Sequence, residues 1–243
     1  MSTTRRIAAD LSVVASTEAH LFEEIFQFFK SQLVSGALRP GDRLLSEREL
    51  ATRLGVSRAS LREVMRAMAL LGVVEIRPGQ GTFVRSPDVG VLRDFFGVML
   101  AMQPTVYEHV LEARIAIECH AIRLACTNAR PEDEARLRLA LDRILETVED
   151  ADTGADADFE FHAAIVQASR NAVLLFVYEA IETLLRRSHH ERRAAIIGRP
   201  DVLVTLGEAH RRVLDAILGR DPDRAETVLR EHFDLARGTR GRT

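Results

Sequence analysis

The chain of 243 residues has no run of about 18 apolar residues, the length a helix needs to cross a bilayer, so no membrane span is expected. It has only two cysteines, Cys119 and Cys126. Seven apart in a helical pattern, they share a face about 10 Å apart along the axis, beyond disulfide reach. They read as small core residues of a protein in a reducing cytosol. The opening "MSTTRRIAADLSVVAS" lacks a long apolar stretch, which argues against a signal peptide and for a cytoplasmic location. Formal net charge is −3, so no global basic field advertises nucleic acid, and any such signal must be local. Lysine is nearly missing, Lys30 standing alone among arginines. There is no internal repeat, no low-complexity segment, no P-loop, no GxSxG elbow and no HExxH pair. Gly79-Gln80-Gly81 is too short for a nucleotide loop.

What is present is an ordinary core composition, 47% hydrophobic and 28% charged, in a chain long enough for two modest domains. Glycine and proline punctuate residues 36–90, whereas from about residue 105 long helical patterns take over. Arg130-Pro131 and Asp221-Pro222 each place proline in a first helical turn, and Thr105 with Glu108 has capping-box spacing. The divisions expected are a flexible tail over 1–17, a punctuated first domain over 18–88, a linker helix over 89–104 and a helical domain over 105–238. The fold class is mainly α: three helices plus a β-hairpin wing, followed by an all-α antiparallel bundle.

In the first domain Leu21, Ile25, Phe28, Phe29 and Leu33 form a helical stripe. Ser46-Glu47-Arg48-Glu49 is a capping box that opens a helix to about Leu54. Gly55-Val56 makes a tight turn, and Ser57 caps the next helix, "RASLREVMRAMALLG". Two helices joined in this way form a helix-turn-helix. "VVEIRPGQGTFVR" then reads as two short strands around a glycine turn, a wing. Arg58, Arg62 and Arg66 form a ridge at i, i+4 and i+8, beside the packing residues Leu61, Val64, Met65 and Met68. Residues 36–85 hold nine arginines against five acids, a local net of +4. Arginine near a helix N-terminus can reach guanine O6 and N7 with two hydrogen bonds, and the hydroxyls of Ser57 and Ser60 suit phosphate oxygens. The bland alternative is a solvated charged face.

The stretch "SGALRPGDRLLSERELATRLGVSRASLREVMRAMALLGVVEIRPGQGTFV" resembles the winged helix-turn-helix of the GntR family of bacterial transcription regulators. The resemblance implies Arg48, Arg58 and Arg62 as the main DNA-contacting arginines and Ser57 and Ser60 on phosphates. It also implies a wing tip around Gly79 and Gln80 that enters the minor groove. One departure is Leu45, where the family often has proline.

In the second half, Asp158 and His162 of "DFEFH" lie one helical turn apart, with Asp152 and Asp156 as rival acids lacking that spacing. Phe159 and Phe161 read as spacers facing the bundle. His210 and His232 each stand at the edge of an apolar stripe, and these four side chains can meet inside a bundle. Imidazole plus carboxylate suits zinc, and also manganese, nickel or iron. A lone histidine on a helix edge is more often an ordinary core or surface residue, so that alternative stays open. His189 and His190, among Arg186, Arg187, Arg192 and Arg193, read as a solvated polar run.

The order "VLEARIAIE", "DFEFH", "ASRN", "GEAH", "REHF" is similar to the FCD ligand-binding domain of FadR-type GntR regulators. That resemblance implies a divalent metal on Asp158, His162, His210 and His232. It implies a small carboxylate effector received by Arg114, with Asn171 as a further polar group, and it argues against an acyl-CoA effector. "VLRDFFGVMLAM" looks like the family's linker helix. Ala209 departs from a position that is often glutamate. The expectation is a homodimeric, metabolite-responsive repressor on palindromic double-stranded operator DNA. A helical metalloenzyme, or a regulator whose metal is purely structural, are the alternatives.

Overall fold

The computed structural model describes residues 18–86, 88–102 and 106–238. The expected tail over 1–17 and the capping box at Thr105 lie outside them. Contacts divide the chain into two compact units, the division falling between Val91 and Leu92.

The first unit holds α1 (Glu18–Val34), α2 (Glu47–Leu54), α3 (Arg58–Leu70), β1 (Val74–Arg77) and β2 (Gly81–Val84). The α2 box forms as the sequence requires. Ser46 Oγ accepts from the Glu49 N–H, and the Glu49 carboxylate accepts from the Ser46 N–H, both at 3.3 Å. Gly55 ends α2 in the left-handed region at φ 68°, a conformation that costs other residues energy. Ser57 caps α3 through the Ser60 N–H at 3.0 Å. Ile25 and Phe29 of α1, Leu61, Met65 and Met68 of α3, and Val74 and Val84 of the hairpin close one core. The hairpin is antiparallel, with Val74 opposite Val84 and Arg77 opposite Gly81. The segment "GDRL", expected only as a turn, also covers the free edge of β2. Leu44 N–H donates to Thr82 O, and Val84 N–H donates to Asp42 O, both at 2.8 Å.

The second unit is helical: α4 (Gly90–Ala101, its first two residues in the first unit), α5 (Val106–Asn128), α6 (Pro131–Glu146), α7 (Ala151–Ala168), α8 (Ala172–Ala180), α9 (Glu182–Ile196), α10 (Pro200–Leu218) and α11 (Pro222–Gly238). Pro131 and Pro222 stand at first turns, and Asp221 caps α11 through the Arg224 N–H at 3.0 Å. Eleven of the eighteen residues of α7 are buried, which makes it the central helix, packed by α5, α6 and α9. Cys119 and Cys126 are free thiols in this core, and burial pushes each up to about 11. Among the described residues no helix is long and apolar enough to cross a membrane.

Candidate functional site

In the first unit, Arg48 of α2, Arg58 at the first position of α3 and Gly79 of the wing turn line one groove, together with Arg77 and Pro78. Gln80 is exposed on the same turn. Arg62 pairs with Glu47 at 3.3 Å and Arg66 with Glu63 at 3.0 Å. Such exposed pairs hold side chains weakly, so the arginines can exchange these acids for phosphates. The first-turn N–H groups of α3 and the guanidinium groups beside them put positive potential at this end of the helix.

In the second unit, one ligand atom each from Asp158, His162, His210 and His232 lies within 4.8 Å of the others, and all four residues are buried. Asp158 and His162 come from α7, His210 from α10 and His232 from α11. Asp158 Oδ1 stands 3.2 Å from His162 Nε2 and 3.1 Å from His210 Nε2. His162 Nε2 stands 3.2 Å from His232 Nε2. Two imidazole nitrogens about 2.0–2.1 Å from one ion are separated by roughly 3 Å at ordinary coordination angles, so the spacing fits a shared cation.

The tautomers point the same way. The Leu206 carbonyl lies 2.8 Å from His210 Nδ1, and a carbonyl only accepts, so the proton sits on Nδ1. Burial keeps His210 below its ordinary pKa and therefore neutral at pH 7. Its Nε2 lone pair then faces a carboxylate oxygen, an acceptor against an acceptor. Asp158 stays ionised: burial pushes its carboxyl up, but the Arg192 guanidinium holds it well below the usual range. Glu118 Oε2 lies 2.5 Å from His162 Nδ1, the carboxylate–histidine support common behind metal ligands. Facing lone pairs in a dry interior repel unless a cation sits between them. The donor set fits a divalent ion.

Arg114 is fully buried on α5. Its Nε donates to Glu118 at 2.9 Å, while both terminal nitrogens have no partner. Tyr178 Oη donates to the same Glu118 oxygen at 3.0 Å. A guanidinium anchored by one edge presents its other nitrogens as a fork for a carboxylate. Sequence reasoning gave Glu118 no role, although its place four residues after Arg114 was a usable signal.

Two expectations need correction. Asn171 is not part of this cluster; its side-chain oxygen caps α8, accepting from Val173 N–H at 3.0 Å and Leu174 N–H at 3.1 Å. His189 is not solvated but fully buried, as is Arg193, because α9 lays this face on α7. His190 remains partly exposed. The phenylalanines of "DFEFH" do more than space the polar residues: Phe161 packs edge-on against His210 at 5.1 Å, and Phe159 lies under the Arg186 guanidinium at 4.0 Å.

Comparisons with known proteins agree with both halves. Residues 21–84 match the family model for bacterial regulatory proteins, gntR family, and residues 109–235 match the FCD domain. An Escherichia coli (strain K12) protein named as an L-lactate dehydrogenase operon regulatory protein is 33% identical, over 90% of this chain and 86% of its own. The HTH-type transcriptional regulator LutR of Bacillus subtilis (strain 168) is 29% identical, over 82% of this chain and 91% of its own. The Glc operon transcriptional activator of Escherichia coli (strain K12) is 28% identical, over 86% and 85%. Among solved structures, a GntR protein of Streptococcus agalactiae shares the fold, with a TM-score of 0.66 and 21% identity over 92% of this chain and all of that one. The chain belongs to the gntR family of bacterial regulatory proteins, carries an FCD domain, and is a transcriptional regulator and not an enzyme.

Proposed function

We propose that this regulator is a homodimer that binds palindromic operator DNA and represses transcription until a small carboxylate reaches a metal-containing pocket in the helical unit. Residues 18–88 form the head, 89–104 the linker and 105–238 the sensor. The observation that carries the sensor reading is the pair formed by the buried cluster of Asp158, His162, His210 and His232 and the unpartnered fork of Arg114. Asp158, His162, His210 and His232 would hold the ion, with zinc the first choice and manganese, nickel or iron the others. Such an ion would supply positive charge between the facing lone pairs and open positions for an anion's oxygen. Arg114 receives the effector carboxylate with two parallel hydrogen bonds, and Glu118 fixes the angle of the fork while orienting His162. Effector binding shifts the population between two arrangements of the heads, the linker helix coupling the units.

On DNA, Arg58 and Arg48 read base edges, Arg62 supports them, Ser57 and Ser60 meet phosphates, and Gly79 and Gln80 carry the wing into the minor groove. A two-fold dimer on a palindrome supplies the affinity that a single head lacks. The test is fluorescence anisotropy on an operator recovered by selection from random DNA. Arg58→Ala weakens specific binding by about 1–3 kcal/mol, the scale of one bidentate base contact, and an unchanged affinity contradicts its role. Repression is tested with an operator–reporter fusion: loss of the regulator raises expression, and a fall would make it an activator, as the Glc relative is named.

A further inference from the structure

Among the described residues, five buried side-chain nitrogens lack a hydrogen-bond partner: two on Arg114 and one each on His189, Arg193 and His232. His232 belongs to the cluster itself, and Arg193 donates from one terminal nitrogen to the Thr147 and Val148 carbonyls. The metal and the Arg114 fork leave His189 Nε2 unexplained. Its ring is fully buried and packs at a centroid distance of 5.3 Å from His162 and, edge-on, 5.9 Å from Phe159.

Its tautomer follows from its neighbours. The Nδ1 atom lies 3.1 Å from Arg192 NH2 and 3.4 Å from Asp158 Oδ1. These contacts ask opposite things of Nδ1, a lone pair for the first and a proton for the second. The shorter one decides, because a guanidinium only donates. Arg192 NH2 has two hydrogens, one for Asp158 Oδ2 at 2.8 Å and one for His189. The proton of His189 is therefore on Nε2, the atom without a partner.

An orphaned N–H in a dry interior is rare and costs free energy. Here the ring that carries it packs against His162 of the cluster. Arg192 supports it from outside, where α9, α10 and α11 leave a groove of about 670 Å³ lined by Arg192, Thr205 and Leu206. We infer that His189 Nε2–H is a third ligand-binding donor of the sensor pocket, so that the preferred effector carries an acceptor oxygen beyond the two of its carboxylate. Arg114 takes the carboxylate and His189 takes the extra oxygen. Arg192 is a positioning residue: it holds the Nδ1 lone pair of His189 and the outer oxygen of Asp158 with a single nitrogen. The inference rests on the carboxylate-sensor reading and adds a specificity determinant to it.

The experiment uses the full-length, zinc-loaded protein and two acids of the same carbon skeleton, propionate and lactate, which differ by one oxygen. Long-range 1H–15N spectra, with the His189 signal assigned through a His189→Gln variant, are expected to show the Nε2–H tautomer. Lactate should shift that signal at concentrations where propionate moves only Arg114. By calorimetry lactate should bind more tightly than propionate. His189→Phe should cut lactate affinity about tenfold, the scale of one buried hydrogen bond, and leave propionate within about twofold. A proton on Nδ1, or a lactate preference that survives in His189→Phe, overturns the inference and leaves Arg114 untouched. If neither acid moves the Arg114 signals, the carboxylate reading fails and takes this inference with it.

Discussion

At the scale of single residues, the buried polar side chains of the helical unit were unequally legible. The histidines of the cluster could be picked out because each interrupts an apolar stripe. His189 was hidden in "RRSHHERR", where the neighbouring charges suggest a solvated surface. Yet Leu185, His189, Arg193 and Ile196 recur at helical spacing, and all four are buried; the apolar residues at both ends of the run were the signal. Asn171 misled in the opposite sense, since an asparagine before an apolar helix is first of all an N-cap. Arg114 is open to a direct test. Arg114→Lys keeps the charge but loses the planar fork. It is expected to weaken carboxylate binding by about 10–100-fold, the scale of a charge-assisted hydrogen bond, with metal content unchanged. Equal affinity in calorimetry would remove Arg114 from the pocket.

At the scale of elements, caps and breaks were read correctly because they depend on a few neighbouring residues: Ser46 with Glu49, Ser57, Asp221 with Pro222. The pairing of "GDRL" along β2 was not readable, because it depends on an edge formed forty residues later. Within α7, Gly154 shows how a helix is fitted to its surroundings. A Cβ there would lie 2.8 Å from the Thr147 carbonyl oxygen and 2.8 Å from two nitrogens of Arg193. Alanine would normally favour a helix interior by about 1 kcal/mol. Here the clash is with backbone and with a buried guanidinium, and overpacking of this kind costs roughly 1–3 kcal/mol. Gly154→Ala is expected to lower the thermal midpoint of the helical unit, and a raised midpoint by circular dichroism would contradict the packing described.

At the scale of the whole molecule, the division into a wing-bearing head and a helical unit was legible from where glycine and proline stop and long helical patterns begin. The convergence of α5, α7, α10 and α11 on one polar cluster was expected only through the family resemblance, since helix order fixes no contacts, and the part of α9 in it was not read at all. That cluster sets the response to acid. Burial holds His189, His210 and His232 below their ordinary pKa. The unfolded chain therefore takes up protons first, and stability falls as pH drops below about 6.5. Asp158, and outside the cluster the buried Asp133 of α6 paired with Arg170 and Arg136, are also held below their usual range and contribute stability above about pH 4 that is lost below it. Both groups act in the same direction. The thermal midpoint of chelator-treated full-length protein should fall steadily from pH 7 to pH 4, and a flat profile would contradict the buried neutral histidines.

The central claim is that Asp158, His162, His210 and His232 share one divalent ion. Elemental analysis of the purified full-length protein beside His210→Ala tests it most directly. The account predicts about one divalent ion per chain in the natural protein. In His210→Ala it predicts a large loss of metal, with operator binding by the head retained. No metal in the natural protein after exposure to zinc, manganese, nickel and iron, or full occupancy in His210→Ala, would contradict it.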